Sequence, residues 1–225
     1  MNLTYYGHAC FAVEAGGRTL LFDPFISPNP LAKEIDIQSI KADYILVSHG
    51  HQDHLADAAA IASRTGAAII APYEVANWLG KQSSVKTRPI NHGSTRFEFG
   101  RLRFVNAIHS SSLPDGTYGG NPGGFVVETT EESFYYSGDT ALTKDMELIG
   151  ESVSLSFAVL CIGGNFTMDV ADAVAAAEML SCDEVVGVHY DTFPPIKIDH
   201  EAAKKKFEEA GKHLHLLKIG ETRDL

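Results

Sequence analysis

The sequence predicts an α/β fold in which two sheets carry helices on their outer faces. Three observations predict it. Short runs rich in Val, Ile, Leu and aromatic residues recur between Gly, Pro and Asn turns. Helical stretches rich in Ala follow them. The two halves repeat roughly the same order, strands first and helices after, which hints at an internal pseudo-repeat. At 225 residues, with 44% apolar and 21% charged side chains, the chain is long enough for a sizeable core. It is expected to form one domain over residues 1–225.

Taken in order, residues 3–6 and 10–14 read as strands, and Gly16-Gly17 turns the chain into a return strand over 18–22. Two prolines and an asparagine make 23–29 a loop. Residues 43–48 form a compact apolar strand, 55–64 a helix stopped by Gly66, and 67–71 a strand. Pro72 opens a helix to about Lys81, because proline suits a first helical position. Strands are expected at 85–90, 94–99 and 101–108, then a long Ser, Gly and Pro loop over 110–124. A hairpin at 125–129 and 133–137 follows. Helices at 144–150, 170–180 and 199–210 then alternate with strands at 157–161, 184–188 and 213–219.

Lys plus Arg is 18 and Asp plus Glu is 29, a net charge of −11. Such a chain repels polyanions, so neither nucleic acid nor an anionic membrane is an expected partner. Cys10, Cys161 and Cys182 are too scattered for a disulfide framework and are expected to pack as small hydrophobes. With no basic leader and no long apolar run, the expected compartment is the cytoplasm.

The chemistry concentrates at His49-Gly50-His51-Gln52-Asp53-His54. Random placement gives such a pattern roughly once in a thousand chains of this composition. His49 and His51 are two apart, so in extended backbone they face one side and can grip one cation. Asp53 and His54 lie where the chain turns toward a helix and can reach a second. Polar groups packed this densely after a buried strand are costly to leave unpaired, and metal ligation satisfies them.

This block resembles the H-x-H-x-D-H signature of the metallo-β-lactamase superfamily. The superfamily's later positions are matched in order by His109 after the 101–108 strand, Asp139 in Tyr-Ser-Gly-Asp-Thr, and His189 after the 184–188 strand. Gly7-His8-Ala9-Cys10, Phe22-Asp23-Pro24, Asn121-Pro122-Gly123-Gly124, Gly163-Gly164-Asn165 and His189-Tyr190-Asp191-Thr192 are similar to one subgroup. That subgroup comprises small metal-dependent hydrolases resembling ascorbate-6-phosphate lactonase. The resemblance implies a four-layer αβ/βα sandwich with its site at one edge between the sheets.

It also implies two divalent metal ions, zinc first, with manganese, nickel or iron as alternatives. His49, His51 and His109 would hold one, Asp53, His54 and His189 the other, and Asp139 would bridge them. The implied reaction is attack of a metal-bridging hydroxide on an ester, lactone, amide or phosphoester of a small, possibly anionic substrate. Asp53 would orient the hydroxide as well as bind metal, and His8 would donate a proton or contact substrate. Asp23 is read as accepting from a metal-bound His, and Asn165 as a substrate donor or a turn residue. The 110–124 loop would wall the pocket, its glycine N–H groups facing an anion. Asp57 is assigned to a helix's polar face. His92, His200, His213 and His215 lack motif context and are read as structural or exposed. The competing readings are a non-haem iron oxygenase or oxidoreductase of the same superfamily, a phosphodiesterase acting on a small nucleotide, and a non-enzymatic metal-binding protein.

Overall fold

The computed structural model describes residues 1–225. Its first sheet runs β14 (Thr222–Asp224), β1 (Asn2–Gly7), β2 (Cys10–Ala15), β3 (Arg18–Phe22), β4 (Tyr44–Leu46), β5 (Ala68–Pro72), β6 (Thr87–Ile90). The second runs β13 (His213–His215), β12 (Glu184–Val188), β11 (Phe157–Cys161), β10 (Ser133–Tyr136), β9 (Gly123–Glu128), β8 (Gly100–Asn106), β7 (Gly93–Phe97). Strands β3 to β6 pair in parallel, as do β10 to β13, and all other neighbours are antiparallel. The two sheets therefore share one pairing pattern, the structural form of the pseudo-repeat.

Side-chain alternation builds the layers. In β2, Phe11, Val13 and Ala15 enter the core between the sheets, while Cys10 and Ala12 face outward. β11 sends Phe157 and Val159 inward and Ala158 and Leu160 outward. The rings of Phe11 and Phe22 stack at 4.6 Å, with Tyr136 edge-on to Phe11 at 5.0 Å. Helices α2 (Ala58–Thr65) and α3 (Tyr73–Gln82) cover the first sheet's outer face. Helices α4 (Asp145–Ser152), α5 (Val170–Met179) and α6 (His200–Glu209) cover the second's. The result is the expected four-layer αβ/βα sandwich. No helix is long and apolar enough to cross a membrane. The three cysteines are buried, free and packed in the outer layers.

Three elements differ from expectation. The helix read over 55–64 starts only at Ala58, as α2, with a separate helical turn α1 (Gln52–Leu55) before it, and the break between them explains a misassigned residue. Asp57 does not lie on a polar helix face. It is buried, and one carboxylate oxygen accepts the backbone N–H groups of Ile26 (2.7 Å) and Ser27 (2.8 Å). Asp57→Ala strands both amides and is expected to cost about 2 kcal/mol, lowering Tm by roughly 4–8 °C in a thermal melt. The last predicted strand shortens to β13, and the chain returns to add the polar three-residue β14 beside β1.

Candidate metal centre

Loops at strand ends carry the candidate side chains. His8 joins β1 to β2, Asp23 follows β3, and His49 to His54 follow β4. From the second sheet, His109 follows β8, Asp139 follows β10 and His189 follows β12. The His189 N–H donates to the His8 carbonyl at 2.8 Å, tying the two edges together. His8, Asp23 and His189 have φ of 55°, 39° and 58°, a left-handed backbone that non-glycine residues rarely adopt. Strain of this kind persists where the surroundings over-determine it. Gly163, at the end of β11, makes the His189 turn possible, since a Cβ there would lie 2.2 Å from the His189 carbonyl oxygen.

Three groups of potential ligand atoms converge, one of them Asp23 with His49 and His54, and the other two face the site. His49, His51 and His109 form one, and His8, Asp53, His54 and His189 the other. His49 Nε2 lies 2.9 Å from His51 Nδ1. Asp139 sits between the groups, its Oδ2 2.9 Å from His189 Nε2, 3.3 Å from His54 Nε2 and 3.6 Å from His109 Nε2. Bonds of about 2.0–2.1 Å to a tetrahedral cation place ligand atoms about 3.3 Å apart, so these spacings fit ligand edges. His54 Nε2 and Asp139 Oδ1 are buried with no hydrogen-bond partner, a deficit that a cation removes.

Protonation favours ligation. Burial holds the His49, His51 and His109 rings below their ordinary pKa, in the neutral form metals require. Burial opposes ionisation of Asp139, but the neighbouring His189 and His54 outweigh it and hold its carboxyl well below the usual range. Asp53 behaves likewise, with His54 and His8 outweighing burial. Burial disfavours a charged His54, but Asp139, Asp23 and Asp53 together raise its pKa well above the ordinary value.

Asp23 is the support beneath both groups. Its Oδ1 accepts the Ser48 N–H (2.7 Å), and its Oδ2 accepts from Ser48 Oγ (2.5 Å), Tyr136 OH (2.6 Å) and His54 Nδ1 (2.8 Å). Four donors saturate this carboxylate, so it orients ligands rather than binding metal itself. Because the Ser48 hydroxyl proton goes to Asp23, His49 Nδ1–H donates to Ser48 Oγ at 2.9 Å. The far nitrogen of His49 is thereby left as a lone pair, and His54, its Nδ1–H held by Asp23, presents one once its Nε2 proton is displaced by a cation.

His8 is buried beside Asp53, with Nε2 3.0 Å from Asp53 Oδ2 and Nδ1 3.0 Å from Thr192 Oγ1. Burial lowers its pKa to about 4, so the ring is neutral. Facing a carboxylate, Nε2 carries the proton, and Nδ1 accepts from the Thr192 hydroxyl. Asn165 joins neither group. It is exposed, with φ 57°, in a tight turn closed by the Thr167 N–H to Gly164 carbonyl bond. His92 stacks on Phe104 at 4.9 Å, His200 pairs with Asp191, and His213 and His215 share Glu184.

Sequence reading missed Ser48, Tyr136 and Thr192, and also Ser110, whose Oγ lies 3.2 Å from His51 Nε2. Each carried a signal that was not used: Ser48 and Ser110 adjoin motif histidines, and Tyr136 and Thr192 stand in the quoted motifs around Asp139 and His189. A cavity of about 410 Å³ opens beside His109, walled by the 110–122 loop. A larger cavity, about 890 Å³, lies between β6 and β7 and is lined by none of the ligand cluster.

Residues 18–190 match the beta-lactamase superfamily domain. The whole chain is 51% identical over 226 residues to a UPF0173 metal-dependent hydrolase of Flavobacterium johnsoniae, covering 100% of each. It is 52% identical over 223 residues, 99% of each chain, to that of Methylacidiphilum infernorum. Among solved structures it is similar to Igni18, a metallo hydrolase of the archaeon Ignicoccus hospitalis. That pair shares 34% identity and a TM-score of 0.89, over 99% of this chain and 97% of that one. The fold and these relatives agree: the chain belongs to the metallo-β-lactamase superfamily, within its UPF0173 metal-dependent hydrolases.

Proposed function

We propose that this protein is a binuclear metal-dependent hydrolase that opens an ester, lactone or phosphoester bond of a small molecule. The observation that carries the reading is Asp139 Oδ2, within 2.9–3.6 Å of imidazole nitrogens from both ligand groups. His49, His51 and His109 would hold one divalent cation and Asp53, His54 and His189 the second, with Asp139 available to both. Zinc is the first candidate, since five imidazoles and two carboxylates suit it, with manganese, nickel or iron as alternatives. When bound, such a pair supplies a water ionised near neutrality and a Lewis acid for the substrate's oxygen.

The chain's own groups do the rest. Asp53 is the most open of the acids, its side chain 29% exposed, and orients the attacking water. His8 holds that carboxylate through Nε2–H, which fixes its tautomer, and Thr192 Oγ1 lies against its Nδ1. The Asp23, Ser48 and Tyr136 hydrogen bonds keep His49 and His54 in register. Asn165, at the rim, is assigned no step.

Chelation followed by reloading tests the reading. Hydrolysis of p-nitrophenyl acetate or bis(p-nitrophenyl) phosphate should fall to background in the metal-free protein and return with zinc or manganese. Activity that survives complete metal removal contradicts it.

A further inference from the structure

We propose that the cavity beside His109 is a recognition site for an uncharged, hydroxyl-bearing, sugar-like group. The assignment of this group to the substrate rests on the hydrolase reading above; the site itself rests on the cavity. At about 410 Å³ the cavity is the size of a small-molecule site. Beyond His109, its lining contains no charged side chain, only neutral donors and acceptors such as Ser110, Ser112, Thr117 and Asn121, with the Tyr118 ring. It meets the metal centre directly, because His109 is shared and Ser110 Oγ reaches His51 Nε2.

The pocket is built in advance. Ser111 Oγ accepts the Gly50 N–H (3.0 Å) and donates to the Gly119 carbonyl (3.1 Å), clamping the loop to the metal motif. Ser112 and Tyr118 form an isolated β-bridge across the loop. Tyr118 OH donates to Asn121 Oδ1 at 2.7 Å, which fixes the amide and leaves Asn121 Nδ2 to donate elsewhere. The Tyr118 residue is 65% exposed. An open aromatic face beside hydroxyl and amide groups matches a sugar ring, with apolar C–H faces and polar edges.

An anionic group fits poorly. Two of the loop's glycine N–H groups are already taken: that of Gly116 goes to the Leu113 carbonyl (2.8 Å) and that of Gly119 to the Ser111 carbonyl (2.7 Å). Asp115 stands on the same loop, held ionised by Thr117 and Trp78. No Lys or Arg lines the cavity to offset it.

Trp78, the only tryptophan, donates to Asp115 Oδ2 at 2.7 Å and so reports on this loop by fluorescence. The experiment titrates methyl glycosides of the common hexoses, and glucose 1-phosphate, into the full chain. Ligand-observed NMR runs alongside, and p-nitrophenyl acetate hydrolysis is measured separately. At least one neutral glycoside is expected to bind more tightly than the phosphate. Tyr118→Ala and Asn121→Ala should each weaken it about tenfold. Two results overturn the site: no glycoside binds, or the phosphate binds more tightly and both variants leave that binding unchanged. Loss of p-nitrophenyl acetate hydrolysis alone indicts the hydrolase reading and leaves the binding result to decide the site.

Discussion

Asp139→Asn is expected to lower kcat/KM by about 10³-fold or more, roughly 4 kcal/mol of transition-state stabilisation. The amide is nearly isosteric, so packing around Gly138 and Thr140 is kept, but it cannot serve two cations as an anionic bridge. One oxygen now faces His54, His109 and His189 together, at 3.3, 3.6 and 2.9 Å. On the proposed binuclear reading, a neutral amide there removes the negative charge that would offset two divalent ions in a buried site. A binding readout accompanies the kinetics. Zinc stabilises the native state by mass action, so it should raise the wild-type Tm and raise that of Asp139→Asn much less. A variant with full activity and an unchanged zinc-induced shift would show that Asp139 bridges nothing.

Asp23→Asn is expected to damage both stability and metal affinity without touching a cation. The native carboxylate accepts four hydrogen bonds in a fully buried setting. An amide offers one oxygen, so its NH₂ must face the Ser48, Tyr136 and His54 donors. The hydroxyls can rotate away, but His54 must then carry its proton on Nε2 and lose the lone pair that faces the site. Ser48, in turn, no longer fixes His49 Nδ1–H. Metal affinity should fall about 10–100-fold, the usual range for such supporting carboxylates. Stability should fall by about 3 kcal/mol, a Tm decrease of roughly 6–12 °C. Metal titration against a competing chelator, with a melt of the metal-free protein, separates the two effects. Wild-type affinity in a destabilised variant would make Asp23 a packing residue alone.

The central strands were legible as short apolar runs, as in β2 and β11, whose two sets of side chains end in different layers. The His49 to His54 cluster was legible because its spacing is local. His109, Asp139 and His189 each follow a strand, but only the family resemblance picked them out from the other histidines and aspartates. What lies beneath them was not legible. Tyr136 meets Asp23 across 113 residues of sequence, and no local pattern marks that contact. Asp57 was misread because helical periodicity was extended through α1 and α2, where the chain breaks and turns that carboxylate inward. β14 is three exposed polar residues, and its strand form comes from the backbone of β1 rather than from its own side chains. The left-handed backbones of His8, Asp23 and His189 carry no glycine to announce them.

The most direct test of the central claim is metal content per chain, by elemental analysis of protein purified without chelator and then saturated with zinc. The site built from His49, His51 and His109 with Asp53, His54 and His189, joined by Asp139, predicts two equivalents, falling to about one in His109→Ala. A single equivalent in the saturated wild-type protein, unchanged in that variant, would contradict a binuclear centre.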